Sequence, residues 1–274
     1  QVVTPVDVVP DPGATMANID FTNWKVTLPI DGDNNGSPDE IMPGSLVNNG
    51  YRNVPALQTL MYPDDTDASI VFHTYYAGSV TANTSFPRTE LRELINPSNS
   101  RVNWTLNTGG TMKVRMKVEA VSNNTGTGSL QKDRFIVAQI HGIINPTDVA
   151  RLNLSSDSAP PLLKMQWRDG NMVAYKKTLR DDNTSGNALY DRSDAIWDDV
   201  SFNFGQVGYE PFDIEIKAST GRLEVIVNGQ GHIFRDVSLQ KWPFDNYFKA
   251  GNYIQTVDPA GFSTVKMYSL EATH

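Results

Sequence analysis

Hydrophobic and polar residues alternate with a period of two in many short segments between Ile19 and the C-terminus. Clear examples are ASIVFHTYY, MKVRMKVEAV, FDIEIKA and LEVIVNG, and turn-rich pieces such as DGDNNGSPD, NPSNS and DDNTSGN lie between such segments. This alternation is typical of half-buried strands, and no stretch sustains helical periodicity over ten or more residues. The pattern predicts an all-β fold, a sandwich or a barrel-like jelly roll, with few and short helices.

Turn signals and the N-terminal composition predict the domain organisation. EIKASTGRLEVIVNGQ predicts two adjacent strands joined at Thr220-Gly221, and Asn228-Gly229 predicts a second tight turn. Residues 1–18 contain proline and glycine without a clear period, so we expect an N-terminal tail or linker. No internal repeat or second linker follows, which predicts a single domain over residues 19–274.

Composition narrows the class of protein. The 274-residue chain has a net charge of -8 and no cysteine, which excludes disulfides and thiolate metal sites. Nucleic-acid binding needs clustered positive charge and is not expected, and no apolar run approaches the ~20 residues that cross a bilayer. The chain starts at Gln1, and removal of a secretion signal is the usual reason, so we expect a secreted protein, extracellular or periplasmic. We also expect a monomer.

Three segments place unusual polar groups on one strand face. In FPRTELRELI, Arg88, Glu90 and Arg92 alternate, so they share a face at intervals of roughly 6.6 Å. The alternative is a solvated strand face with incidental ion pairs, which contribute little. In YFKAGNYIQ the shared face carries five residues: Tyr247, Lys249, Gly251, Tyr253 and Gln255. Gly251 either leaves room for a ligand or is a structural glycine at a bulge.

The third segment is RFIVAQIHG. Strict alternation predicts that Ile136, Ala138 and Ile140 lie on one side. The other side then carries four residues: Phe135, Val137, Gln139 and His141. A lone histidine is more often hydrogen-bonded and half-buried than catalytic. If all three polar faces line one sheet, however, the groove holds cationic, amide, imidazole and phenol groups, which suits a polyanionic sugar.

At these residues the sequence resembles the alginate lyases of polysaccharide lyase family 7. The family's signature strands, R-[ST]-E-L-R, Q-[IV]-H and Y-F-K-A-G-x-Y-x-Q, are complete here at residues 88–92, 139–141 and 247–255. NWKVTLP resembles the family's opening strand. The resemblance implies a β-jelly roll of two curved antiparallel sheets, with alginate, an anionic polysaccharide, in a concave groove.

The resemblance also implies residue roles. Arg88 and Gln139 would neutralise the uronate carboxylate, while His141 and Tyr253 would transfer protons. The expected substrate-binding residues are Glu90, Arg92, Tyr247, Lys249 and Gln255. No metal or other cofactor is expected, because arginine and amide groups can stabilise the developing charge.

Elementary acid–base chemistry refines these roles. Histidine, with an ordinary pKa of about 6.5, is a natural base near neutral pH. Tyrosine is a poor base unless cations such as Lys249 or Arg88 lower its pKa, so Tyr253 is the candidate acid. Within the family resemblance, Ile140 at the centre of Q-I-H is associated with guluronate-containing blocks. We therefore expect cleavage of guluronate-containing or mixed blocks.

Two other functions remain open at this stage. A non-catalytic carbohydrate-binding module can use the same fold and groove. A retaining glycoside hydrolase needs two carboxylates about 5–5.5 Å apart, and Asp213 and Glu215 are the nearest candidates, although a polar hairpin face explains them better.

Three loops carry further predictions. Residues 31–36, DGDNNG, resemble the start of a calcium-binding loop, but Met42 stands where such a loop has glutamate, which favours an ordinary turn. Residues 122–133 and 180–193 are long and polar, which predicts mobile lids at the groove edge or plain surface connectors.

Overall fold

The computed structural model describes residues 17, 19–76, 79–81, 84–124 and 126–274. The strands are β1 (Trp24–Thr27), β2 (Glu40–Ile41), β3 (Met61–Asp64), β4 (Ser69–Tyr75), β5 (Arg88–Glu93), β6 (Gly110–Val121), β7 (Arg134–Ile143), β8 (Ser158–Arg168), β9 (Asn171–Leu179), β10 (Trp197–Gln206), β11 (Phe212–Ser219), β12 (Arg222–Val227), β13 (Gln230–Phe234), β14 (Asp245–Ile254) and β15 (Phe262–Thr273). The α-helices are α1 (Pro43–Leu46), α2 (Pro146–Arg151) and α3 (Val237–Lys241). Short 3-10 helices occur at Gly50–Asn53, Pro55–Leu57, Gly128–Leu130 and Gly186–Tyr190. Within the described residues, no helix has the length and apolarity of a membrane span.

The strands form two antiparallel sheets. The front sheet has the order β10-β9-β8-β7-β14-β5-β1-β2, and the back sheet has the order β13-β12-β11-β6-β15-β4-β3. Both predicted tight turns are present: β11 and β12 meet at Thr220-Gly221, and Asn228-Gly229 has positive φ at both residues before β13. A sandwich of antiparallel strands with few, short helices is therefore confirmed.

The core lies between the two sheets. Leu91, Ile140 and Phe248 of the front sheet and Phe72 and Val114 of the back sheet are among its fully or almost fully buried members. Removing this apolar surface from water is the main stabilising contribution to such a fold, about 25 cal/mol per Å². Because inward residues alternate with outward ones along each strand, the same packing turns the polar residues of β5, β7 and β14 to the opposite face of the front sheet.

Buried polar bonds tie β14 to the back sheet. The Asn252 amide donates to the backbone oxygens of Phe72, at 3.0 Å, and Ser263, at 2.8 Å. The Ser263 hydroxyl donates back to Oδ1 of Asn252 at 2.6 Å. These bonds lie directly behind the strand that carries Lys249 and Tyr253, so they fix the position of that strand.

A β-bulge changes one predicted face. The pairing register shifts between Ala250 and Tyr253 on β14, and between Ile136 and Ala138 where β7 meets β8. The prediction that Ile136 shares the core side with Ala138 is therefore wrong, since Ile136 lines the groove. The prediction that Phe135 and Val137 share the face of Gln139 and His141 is also wrong, since both lie in the core. Phe135, Val137, Ala138 and Ile140 all belong to the core. An irregularity of one residue reverses the alternation, which periodicity alone does not reveal.

Gly251 belongs to the same bulge. It adopts φ of +142°, and an added Cβ would lie 2.7 Å from the Thr89 oxygen and 2.9 Å from Cα of Glu90. Close approach of β5, rather than space for a ligand, accounts for this glycine, which confirms the structural interpretation.

Candidate active site

Three neighbouring strands of the front sheet bring the predicted polar faces together. Lys249 of β14 pairs with Arg92 of β5 on one side and with Gln139 of β7 on the other. Adjacent strands lie about 4.8 Å apart, so these side chains are immediate neighbours. They line a groove of about 930 Å³. Of the nine residues predicted for the site, eight line it: Arg88, Arg92, Gln139, His141, Tyr247, Lys249, Tyr253 and Gln255.

The ninth residue, Glu90, lies beneath the groove and is 0% exposed. Its carboxylate contacts Nζ of Lys249 at 2.5 Å and Nη1 of Arg88 at 3.4 Å. Nε2 of Gln139 donates to its other oxygen at 2.5 Å. Burial opposes ionisation of Glu90, but the two cations and the amide outweigh it and lower its pKa. Glu90 is therefore an anionic anchor for three groove side chains.

Arg88 has free hydrogen-bonding capacity at the groove. Its Nε and Nη2 atoms are buried and have no hydrogen-bond partner among the described residues. Its guanidinium lies 3.8 Å from the ring centre of Tyr253, a cation–π contact that holds the plane of the group. Buried donors without partners are costly, and a bidentate carboxylate satisfies such donors with charge-assisted bonds.

The His141 ring is oriented by two contacts. Nδ1 lies 2.8 Å from the backbone oxygen of Gly142, so this nitrogen donates and Nε2 keeps its lone pair. The ring stacks on Tyr247 with centroids 5.3 Å apart. Burial, reinforced by the charge of Lys249, lowers the pKa of His141 to about 3. His141 is thus a neutral acceptor at neutral pH, well below the ordinary pKa that the sequence suggested.

The pKa of Tyr253 is shifted in the opposite direction to that of His141. Burial raises the pKa of its phenol above the ordinary value, although the charge of Arg88 partly offsets the rise. The sequence left open whether Arg88 or Lys249 lowers the pKa of this tyrosine, and in the structure burial prevails. The phenol therefore remains protonated at neutral pH and is suited to donate a proton.

Lys249 and Arg92 supply the remaining positive charge at the centre of the groove. Burial, with the neighbouring charge of Arg88, lowers the pKa of Lys249 to about 8, although Glu90 opposes this shift. Arg92 lies 4.1 Å from the ring centre of Tyr247, and its Nη2 donates to the Ser100 oxygen at 2.9 Å. Both cations are held in place without being fully neutralised.

The groove is also lined by residues that the sequence analysis missed. The front sheet contributes Lys25, Thr27, Glu40, Gly142, Ile143, Ser158, Ala159, Pro160, Pro161 and Lys164. Loops contribute Thr81, Thr84, Ser85, Phe86, Ser100, Arg101, Ser156, Asp157 and Arg192. Lys25 pairs with Glu40 and Lys164 with Asp199. Lys25 and Thr27 occupy alternate positions in NWKVTLP, so the sequence could have predicted that they share a strand face. The loop residues follow no such periodicity.

The two predicted lids differ from expectation. Residues 180–193 contribute Arg192 to the groove, but this segment is anchored: Arg192 donates to the Ser158 oxygen, and the buried Leu189 accepts from Trp197. These two bonds attach the segment at the edge of the groove. No described residue of 122–133 lines the groove, and Lys132 of this segment contacts Asp258 instead.

The carboxylates that a glycosidase would need lie elsewhere. Asp213 and Glu215 are on β11 of the back sheet, where Asp213 pairs with Arg115 at 2.7 Å. Glu215 contacts Lys113 and Lys217. The polar hairpin face is therefore the correct interpretation of these two residues.

The DGDNNG segment forms a turn with an acidic cluster. Carboxylate oxygens of Asp31, Asp33 and Asp39 lie within 4.8 Å of one another. Asp31 already accepts from the backbone N–H groups of Asn35 and Gly36, at 3.0 and 2.9 Å. These bonds are those of an ordinary polar turn.

Known proteins are similar to this chain in fold and in sequence. A family model described as alginate lyase matches residues 19–274. An alginate lyase of Klebsiella pneumoniae is 26% identical over 309 residues, which cover 97% of this chain and 92% of that protein. Alginate lyase A1-II', a member of polysaccharide lyase family 7, matches with a TM-score of 0.69 and 31% identity, over 94% of this chain and 96% of that one.

A tyrosine-to-phenylalanine variant of A1-II' in complex with the product GGG matches with a TM-score of 0.70 and 30% identity, over 94% of this chain and 97% of that one. The family match covers nearly the whole chain, and the solved structures share its two-sheet sandwich, a β-jelly roll. This chain therefore belongs to the alginate lyases of polysaccharide lyase family 7.

Proposed function

We propose that this enzyme cleaves the 1,4-glycosidic bonds of alginate by β-elimination and releases unsaturated oligosaccharides. One observation carries the proposal: Arg88, whose Nε and Nη2 have no hydrogen-bond partner in the described part of the chain, lines a groove whose centre is Gln139 and Lys249. His141 pairs with Tyr247, which places it on one side of that centre. Tyr253 pairs with Arg88 and Ile136, which places it on the other side. A carboxylate bound at the centre is thus flanked by a base and an acid.

The first role is charge stabilisation. Loss of the C5 proton of a uronate builds negative charge on its carboxylate, as in an enolate. Arg88 and the second amide proton of Gln139 would donate to that carboxylate, while Glu90 holds both side chains in place. Preorganised donors of this kind contribute about 10²–10³ in rate each, so the site needs no metal in this proposal.

The second role is proton transfer. His141 Nε2 takes the C5 proton, the C4–O4 bond breaks, and a C4=C5 double bond forms. The departing O4 receives the phenol proton of Tyr253. Positioned groups of this kind contribute roughly 10²–10⁴ in rate. In guluronate the C5 proton and O4 lie on opposite ring faces, which requires two groups. In mannuronate they share a face, where the protonated phenol of Tyr253 is a poor base for the first step.

The proposal includes a preference for guluronate-containing or mixed blocks, with some activity on polymannuronate. It is supported by the separate base and acid, and by the resemblance that links Ile140 to such blocks. Ile140 is 0% exposed, so its effect must pass through Gln139 and His141 on the opposite face. The A1-II' lyase, in a variant with a histidine and a tyrosine replaced, is known in complex with the substrate GGMG.

The proposed partner is alginate itself, bound by a groove that one chain supplies completely. We therefore propose a monomer. Because a long anionic polysaccharide does not cross membranes unaided, we also propose that the enzyme acts outside the cytoplasm, in the extracellular space or the periplasm.

Separate polymannuronate, polyguluronate and mixed-block alginate provide the test. Elimination creates an unsaturated sugar end that absorbs ultraviolet light, whereas hydrolysis does not. We expect rising absorbance with the highest initial rate on guluronate-containing blocks, unchanged after extensive chelation. A large preference for polymannuronate would contradict the block assignment. Chain shortening without new absorbance would contradict elimination, and activity restored only by added calcium would contradict the metal-free mechanism.

A further inference from the structure

One row of paired residues crosses six neighbouring strands of the front sheet. The strands β1, β5, β14, β7, β8 and β9 contribute, in this order, Lys25, Arg92, Lys249, Gln139, Lys164 and Tyr175. Residues that pair directly across antiparallel strands lie on the same face of the sheet. The first five line the groove, so Tyr175, one strand further on, also lies on the groove face. Four members of this cross-strand row are cations.

The groove follows the cross-strand row rather than the strands, because loops border it at both ends of the strands. The groove-lining residues 84–86 lie just before β5, at the end of the sheet that carries Tyr253. Residues 100–101 follow β5 and residues 156–157 precede β8, at the end that carries His141. A ligand longer than one sugar is therefore expected to lie across the strands.

The two ends of the cross-strand row differ in charge. At the β1 end, Lys25 contacts Glu40 at 2.5 Å, so one cation meets one carboxylate. At the other end, Lys164 and Lys177 share a single carboxylate, that of Asp199, and each ammonium lies 3.0 Å from it. Two lysines on one aspartate leave a net positive charge. The β8–β9 end therefore attracts a polyanion more strongly than the β1 end does.

Tyr175 adds an aromatic ring at this positive end. The residue is half-buried, and its ring centre lies 5.7 Å from Nζ of Lys164. An aromatic side chain can pack its face against the C–H groups of a sugar ring. A neighbouring ammonium can then form a charge-assisted hydrogen bond with the carboxylate of the same sugar. The pair thus offers the two contacts that distinguish a uronate from a neutral sugar.

The distance between this pair and the centre of the groove fixes which sugar it can reach. Adjacent strands lie about 4.8 Å apart, so Tyr175, two strands from Gln139, is about 10 Å from it along the row. This is about two units of a 1,4-linked sugar chain. A chain whose carboxylate lies at Arg88 and Gln139 would therefore place another uronate at Tyr175.

We propose that Lys164 and Tyr175 form an outer subsite for one uronate of the polysaccharide, about two sugars from the uronate whose carboxylate Arg88 binds; this rests on the proposed alginate cleavage. Lys164 donates to the carboxylate, and Tyr175 packs against the ring. Occupation of the outer subsite selects which bond of an oligosaccharide lies between His141 and Tyr253. The outer subsite therefore determines the size of the products.

End-labelled uronate hexasaccharides test the proposal with the variants Tyr175→Ala and Lys164→Met. Matched controls come from the back sheet, away from the groove. Tyr62→Ala removes another half-buried tyrosine, and Lys117→Met removes another ion-paired lysine whose side chain is 29% exposed, compared with 25% for Lys164. Thermal melting verifies that each variant folds, and the two subsite variants test the proposal independently. The measurements are kcat, KM and the position of the cut relative to the label.

We expect Tyr175→Ala and Lys164→Met to raise KM about 5- to 10-fold with little change in kcat, because the contacts lie away from the reacting atoms. Both variants should also redistribute the cut positions, whereas the controls stay within about 2-fold of wild type and keep its cutting pattern. An unchanged pattern in both subsite variants, a loss confined to kcat, or equal effects in the controls would overturn the proposal. Absence of unsaturated product from wild type would instead contradict the proposed function.

Discussion

Two buried glutamates on β5 lie three residues apart and face opposite sides of the front sheet. Glu90 lies under the groove and anchors Arg88, Lys249 and Gln139. Glu93 lies towards the core and is 3% exposed. It accepts from the Trp104 indole at 3.1 Å, the Phe248 backbone N–H at 2.9 Å and His274 at 2.7 Å.

The difference between these two carboxylates lies in their partners. The partners of Glu90 retain donors that point to the groove, so its contacts prepare a binding site. The partners of Glu93 are a core indole, a strand N–H and a histidine ring packed on Trp104 and Phe248, so its contacts hold β5, β14 and the last strand together. One residue type on one strand thus positions the candidate site on one face and supports the fold on the other.

The largest effect is expected from Glu90→Gln. The neutral amide keeps the shape but removes the charge that fixes Arg88 and keeps Lys249 protonated. We expect kcat/KM on alginate to fall about 10²–10³-fold, the size of effect of losing a preorganised donor. Steady-state kinetics measure it. A loss under 5-fold would show that Glu90 does not organise the groove.

The pH dependence of activity sharpens the role of Lys249. Its pKa of about 8 means that the ammonium charge is lost as pH rises through that value, so kcat/KM should fall about tenfold per pH unit above it. His141, with a pKa of about 3, remains neutral from pH 5 upwards and should produce no step near 6.5. In Lys249→Arg the alkaline fall should move to higher pH. An acid limb centred near 6.5 would contradict the assignment for His141.

Glu93→Gln should have the opposite profile to Glu90→Gln. One amide oxygen cannot satisfy three buried donors, so we expect the free energy of unfolding to fall by about 1–3 kcal/mol. Denaturant titration gives this value, and kcat/KM should stay within about 3-fold of wild type. If activity fell as far as it does in Glu90→Gln, the distinction between the two faces would be lost.

The smallest effect is expected on the back sheet. Asp213 pairs with Arg115 at a partly exposed position, and such pairs contribute about 0–1 kcal/mol. Asp213→Asn should therefore change the free energy of unfolding by less than about 1 kcal/mol and leave turnover unchanged. A marked loss of turnover would revive the glycosidase alternative.

Alternation along the chain was sufficient to predict the sandwich, its hairpins and the polar residues at the centre of the groove. Arg88, Lys249 and Tyr253 could be found because strand alternation fixes which side chains share a face. Ile136 was misplaced, because a bulge is set by how two strands fit and leaves no mark in the period of one strand.

Properties that depend on contacts between distant segments of the chain were harder to predict from the sequence. The raised pKa of Tyr253 depends on burial by distant segments, and Arg101 and Asp157 reach the groove from loops without periodicity. The sequence did not indicate the structural role of Glu93, because its partners Trp104 and His274 lie in other segments of the chain.

The most direct test of the proposed elimination compares Tyr253→Phe with Tyr247→Phe. Both tyrosines lie on the groove face of β14, and each ring contacts an arginine, so the second variant is a matched control for loss of one hydroxyl. The formation of ultraviolet-absorbing product from each block type is measured, with oligosaccharide binding in parallel. We predict that Tyr253→Phe binds almost normally yet loses turnover on every block, whereas Tyr247→Phe keeps most of it. Near-normal turnover by Tyr253→Phe would contradict Tyr253 as the proton donor.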